Sequence, residues 1–118
     1  MTLTNRPVEA ADLTESLLGP PSAVPLGGAI PVRSRVDFAT DDRRVVSGVW
    51  ESEPGRSRWE FATRGEIIHV VSGRMVVTED GGEPVTLEAG ATAYFPIGWA
   101  GEWDVRERLR KVYVVYKP

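Results

Sequence analysis

From Ile30 onward, apolar residues come in short runs rich in valine, isoleucine, tyrosine and tryptophan, broken by glycine, proline or charged pairs. Such a texture predicts strands rather than helices. The predicted strands cover Pro31–Asp37, Val45–Glu51, Ser57–Ala62, Glu66–Val71, Arg74–Glu79, Pro84–Glu88, Thr92–Phe95, Glu102–Arg106 and Lys111–Tyr116. Between them, Ser72-Gly73 and Asp80-Gly81-Gly82 read as hairpin turns, because glycine reaches the positive φ that tight turns demand. Neighbouring strands are therefore expected to pair antiparallel. Regularly spaced short strands specify a sandwich, a jelly roll or a small barrel, and periodicity does not choose among them.

The start of the chain has a different texture. Leu13, Leu17 and Leu18 suggest one short helical turn within Val8–Leu18. Gly19-Pro20-Pro21, Pro25 and Gly27-Gly28 then break any regular element, since proline lacks the amide hydrogen that helices and central strands use. Residues 1–28 are read as an arm that either drapes over its own domain or reaches a neighbouring subunit, and residues 29–118 as one domain. No repeat, heptad or low-complexity tract is present.

Composition narrows the function classes. With 42% hydrophobic and 26% charged residues, the chain has ordinary globular values. A net charge of -3 and basic runs no longer than Arg43-Arg44 or Arg110-Lys111 argue against a nucleic-acid partner. Absence of cysteine removes disulfides, thiolate metal sites and cysteine nucleophiles. Asn5, Arg6, Glu9 and Asp12 interrupt the first residues, unlike a secretory signal, and no run approaches the length of a membrane span. The expected location is the cytoplasm, with no membrane partner.

Two segments carry a family likeness. Glu66 is followed by six residues and then Gly73, and Gly90, Pro96 and Gly98 recur in Gly-Ala-Thr-Ala-Tyr-Phe-Pro-Ile-Gly. These spacings resemble the cupin superfamily, whose motifs read G-x5-H-x-H-x3,4-E-x6-G and G-x5-P-x-G-x2-H-x3-N. Gly48-Val-Trp-Glu51, Pro54-Gly55, Gly101-Glu-Trp-Asp-Val105 and Arg110-Lys-Val-Tyr113 extend the likeness to small cupins related to (S)-ureidoglycine aminohydrolase and to an ethanolamine-utilisation cupin. The resemblance spans roughly residues 45 to 116. It implies an all-β double-stranded β-helix, or jelly-roll barrel, commonly paired as a homodimer.

The departures from the motif matter equally. At the two histidines of the first motif this chain has Trp59 and Phe61 in one register, or Glu60 and Ala62 in the other; at the histidine of the second motif it has Gly101. Glu66 alone remains of the motif's ligands. His69, the single histidine, lies three residues further along a strand and is expected on the opposite face. A metal is therefore not expected, the alternative being Mn²⁺ or another divalent ion held by Glu51, Glu60 and Glu66.

Glu66 is the candidate catalytic or pocket acid–base group, and His69 a weaker one. A structural ion pair of Glu66 with Arg64 or Arg58 competes with that reading. Glu51, Trp59, Phe61, Arg64, Tyr94 and Trp103 are the candidate ligand-binding residues, although aromatic rings also fill small barrels simply as core. The leading expectation is a metal-free cupin binding a small organic molecule in its barrel. Two alternatives stand beside it: a metal-dependent ureidoglycine-aminohydrolase-like enzyme acting on a C–N bond, and a noncatalytic accessory or sensing homodimer.

Overall fold

The computed structural model describes residues 8–118. The first residues of the expected arm, 1–7, lie outside them. Nine strands follow a 3-10 turn at Ala10–Asp12: β1 (Thr14–Leu17), β2 (Ala23–Pro25), β3 (Pro31–Ala39), β4 (Val45–Ser52), β5 (Gly55–Glu60), β6 (Gly65–Glu79), β7 (Val85–Glu88), β8 (Thr92–Phe95) and β9 (Ala100–Tyr116). The pairings recorded between them are antiparallel and join them into one continuous curled sheet, a cupin-type β-barrel. No helix among the described residues is long and apolar enough to cross a membrane.

Two long strands form the spine. β6 and β9 pair along their whole length, from Gly65↔Tyr116 to Glu79↔Gly101. The other edge of β9 is shared: its first part takes β5 and its second part takes β4. Sequence predicts each of these long strands as two. The gaps at Ser72-Gly73 and at Glu107–Arg110 are not turns but a bend, where the β6–β9 register shifts between Val70 and Met75. Extra residues at such bulges increase local twist and re-aim a strand without ending it.

Gly73 explains how the bend is tolerated. Its φ is +88°, and a Cβ there would stand 2.0 Å from the Arg108 carbonyl oxygen. Both the conformation and the space demand glycine.

The N-terminal segment joins the same sheet. β1 pairs with β3, and β2 pairs with β5 through Ala23↔Trp59. Thr14–Leu17 is thus strand where a helical turn is expected; all four residues are exposed, so pairing with β3 rather than burial of Leu17 sets the conformation. Ser22, just before β2, lies against the barrel, where the Glu60 amide donates to its carbonyl at 2.9 Å.

Alternation along the spine separates inside from outside. Glu66, Ile68 and Val70 on β6 point inward while Ile67, His69 and Val71 are exposed; on β9, Trp103, Val105, Leu109 and Lys111 are buried. The core is aromatic: Trp59 stacks on Trp103 with ring centroids 3.8 Å apart, and Phe61 stacks on Phe95 at 5.5 Å.

Gly73→Ala is expected to cost about 2 kcal/mol or more in chemical denaturation, because strained backbone and collision add. Gly81→Ala, also at positive φ but with open space around it, is expected to cost about 1 kcal/mol. Equal losses would show that the bend does not depend on the close approach at Arg108.

Candidate functional site

A cavity of about 400 Å³ opens inside the barrel, lined by Ser22, Arg43, Trp50, Trp59, Phe61, Arg64, Glu66, Lys111, Tyr113 and Lys117, with Val46 and Val115. Its buried polar element is an ion pair. Lys111 Nζ donates to Glu66 Oε2 at 2.6 Å, and the side chains are only 2% and 6% exposed. Alternation on β9 points Lys111 inward between Val70 of β6 and Trp50 of β4.

Aromatic faces cover the ammonium. Lys111 Nζ lies 4.4 Å from the Trp50 ring centroid, 4.5 Å from Trp103 and 5.5 Å from Trp59. A desolvated cation over tryptophan gains about 2 kcal/mol per good contact, which offsets part of the cost of burying the charge. Burial pushes the Lys111 ammonium below its ordinary value, against the opposing pull of the Glu66 carboxylate. Burial, and then the negative charge of Glu66, push the Tyr113 hydroxyl above its own. Both members of the pair are among the residues that line the cavity.

The family model for the EutQ-like cupin domain matches residues 39–113. The chain belongs to that family. Among solved structures, a DUF861-family protein of unknown function from Pseudomonas syringae pv. tomato superposes with a TM-score of 0.76 at 25% identity, over 87% of this chain and 43% of its own. This cupin thus spans less than half the length of that protein. EutQ from Clostridium difficile superposes with a TM-score of 0.63 at 24% identity, over 75% of this chain and 69% of its own. Ectoine synthase from P. lautus does so with a TM-score of 0.66 at 18% identity, over 74% and 64%. The last two likenesses speak to the fold alone. The matches reach the ethanolamine-utilisation cupins without singling out ureidoglycine aminohydrolase, and no curated protein matches the sequence.

The register left open by the sequence is resolved. Trp59 and Phe61 are buried and face inward, stacked with centroids 5.7 Å apart, whereas Glu60 and Ala62 are exposed. Rings therefore stand where the superfamily motif has its first two histidines. The third position is closed as well: a Cβ at Gly101 would lie 2.3 Å from the Thr78 carbonyl oxygen and 2.7 Å from the Trp99 ring. Among the described residues, no three histidine, cysteine, aspartate or glutamate side chains gather closely enough to hold a metal ion. The donor set does not fit a divalent metal, because the one motif ligand present, Glu66, already holds the Lys111 ammonium.

Of the residues singled out from sequence, Glu66, Trp59, Phe61 and Arg64 come together at the cavity, and Trp103 lies beneath them, fully buried. The Trp103 indole N–H is the buried side-chain polar atom without a partner among the described residues. Three others lie elsewhere, for reasons of alternation. Glu51 follows Trp50 on β4 and so faces the other way, accepting from Arg33 Nε at 3.2 Å and Arg110 Nε at 2.6 Å. Against the opposing push of burial, those two arginines hold its carboxyl below the usual range. Tyr94 is on the outside, its hydroxyl 2.6 Å from that of Tyr116. His69 is also outside, with Nδ1 3.3 Å from Thr92 Oγ1.

The expected partners of Glu66 are corrected too. Arg64 donates instead to Ser22 Oγ at 2.8 and 3.1 Å, and Arg58 engages Asp80 and Glu60. Glu51, Glu60 and Glu66 thus do not converge. Among the charged residues of the lining, Lys111, Arg43 and Lys117 are the ones that sequence reasoning missed. The signal for Lys111 was its parity with Leu109, Tyr113 and Val115 in an apolar strand; Arg43 and Lys117 carried none.

Glu66→Gln or Lys111→Met alone should destabilise by about 3–5 kcal/mol, since each strands a buried partner. The double variant Glu66→Leu/Lys111→Met should be more stable than either single variant. Urea denaturation of the set checks this, and a double variant losing the sum of the two singles would show that the groups do not act as a pair.

Proposed function

We propose that this cupin binds a small organic molecule inside its barrel, with Glu66 and Lys111 as the polar floor and Trp50, Trp59 and Phe61 as the walls. One observation carries the reading: a charged pair buried at the bottom of an aromatic cavity that remains open to the surface. A cavity of this size with few convergent polar groups is the usual form of a small-molecule site. The recognition does not rely on a metal, because the cation in contact with Glu66 is supplied by the chain itself.

A second reading, acid–base chemistry on the bound molecule, is favoured by the depressed Lys111 amine beside a carboxylate 2.6 Å away. Groups tuned away from their ordinary values inside a cleft are the usual agents of proton transfer. C–N bond chemistry of the kind that the resemblance to ureidoglycine aminohydrolase implies would then be carried by Lys111 and Glu66 rather than by a carboxylate-held ion. That a solved structural neighbour is an ectoine synthase agrees with catalysis on this fold without naming a substrate.

A library of metabolite-sized compounds screened by thermal shift tests the reading. A ligand at about one hundred times its dissociation constant adds roughly 2.7 kcal/mol of stability, and its shift should shrink in Glu66→Gln measured from that variant's own baseline. A library in which no compound stabilises the wild type more than Glu66→Gln would contradict binding at this floor.

A further inference from the structure

The cations of this protein are not evenly satisfied. Arg33, Arg35, Arg44, Arg56, Arg58, Arg74, Arg106, Arg108 and Arg110 each have a carboxylate in ion-pair reach, and Lys111 has Glu66. Among the described residues, the basic side chains outside any ion pair are Arg43, Arg64 and Lys117, and all three line the same cavity. In a chain with more acidic than basic residues, leaving these cations unpaired at one mouth is not a consequence of composition.

Three separate elements bring them there. Arg43 sits in the β3–β4 turn with φ +57°, a left-handed conformation that costs a non-glycine residue about 1–2 kcal/mol. Its amide donates to the Thr40 carbonyl at 2.9 Å, which fixes the turn. Lys117 follows β9 and is tied to that turn, its amide donating to the Arg44 carbonyl at 2.7 Å. Arg64, between β5 and β6, is steered by Ser22 rather than by a carboxylate. Glu60, in the recess next to Arg64 and Lys117, is engaged by Arg58 at 3.4 Å.

Resting on the cavity reading above, we infer that the ligand is a small organic oxyanion: a carboxylate or phosphoryl group held at the mouth by Arg43, Arg64 and Lys117, on a flat apolar body that enters between Trp50, Trp59 and Phe61. Guanidinium groups present paired donors that match either kind of oxyanion. The mouth carries positive charge with no internal carboxylate to satisfy it, so an anion entering there displaces no existing ion pair. The aromatic walls take the body, and about 400 Å³ accommodates a single-ring molecule. The floor is a matched pair of opposite charges, so the excess of positive charge is concentrated at the mouth.

Tryptophan fluorescence reads the site directly, since Trp50 and Trp59 line it. The wild type is titrated with benzoate and phenyl phosphate, with uncharged benzamide and benzyl alcohol, and with inorganic phosphate, at about 0.01 M and about 0.1 M ionic strength. The same titrations are run on Arg43→Gln/Arg64→Gln, whose thermal unfolding confirms that it is folded. At least one aromatic anion should bind tenfold or more tighter than the neutral compounds and than inorganic phosphate. Its affinity should weaken with salt, and it should fall to the neutral level in the double variant. Neutral compounds binding as tightly as the anions would overturn the inference while leaving the cavity reading intact. Anion binding unchanged in the double variant, or an absence of anion binding, would also overturn it; the library screen with Glu66→Gln then decides the cavity reading separately.

Discussion

A lysine and a glutamate facing each other inside a barrel of this size form the most demanding interaction in the molecule. Removing two charges from water costs several kcal/mol per ion, repaid only if geometry and surroundings are favourable. Here the pair is 2.6 Å apart and three indole rings stand within 5.5 Å of the ammonium. Much of the interior follows from keeping that cation covered. Trp50 reaches it from β4, Trp59 from β5 and Trp103 from β9, so three strands are fixed around one Nζ. The Trp59–Trp103 stack and the Phe61–Phe95 stack continue the covering outward into the hydrophobic core.

That arrangement also accounts for what this cupin does with the positions where its superfamily motif has histidine. Trp59 and Phe61 pack as rings, Gly101 leaves no space for any side chain, and Glu66 faces a protein-borne cation. A positively charged centre is thus retained at the barrel floor, but it is an ammonium on a flexible stem, with protons to donate and no open coordination site. The recognition proposed at this floor would run through hydrogen bonds and proton position. The unpaired cations at the mouth complement it, because they place a second centre of positive charge at the opening of the same cavity.

The fold was legible in the sequence largely because alternation and glycine turns are local signals. Strand runs such as Thr92–Phe95 and Val45–Glu51 fell within a residue of the observed elements. Where sequence failed, a non-local effect decided. The tract 107–110 lacks apolar alternation yet stays extended, because β6 lies alongside and the bulge absorbs the mismatch. Leu13, Leu17 and Leu18 are at helical spacing, but Thr14–Leu17 is captured by the free edge of β3. At the site, Glu66 was found through its place before an apolar strand and its motif spacing. Lys111 was overlooked because lysine is ordinarily a surface residue, and only pairing with β4 and β6 shows which face it occupies. The choice between Trp59/Phe61 and Glu60/Ala62 likewise needed the β5–β9 register, which no local pattern encodes.

Lys111 and Lys117 are the two lysines of the chain, so proton NMR of their ε-methylene groups tests the central claim most directly. With Nζ held 4.4–4.5 Å from the Trp50 and Trp103 ring centroids, the Lys111 ε-protons should be shifted strongly upfield by ring currents, while those of Lys117 remain at the position of an exposed lysine. Coincident signals for both lysines at the exposed position would contradict the buried, tryptophan-covered ion pair on which the account stands.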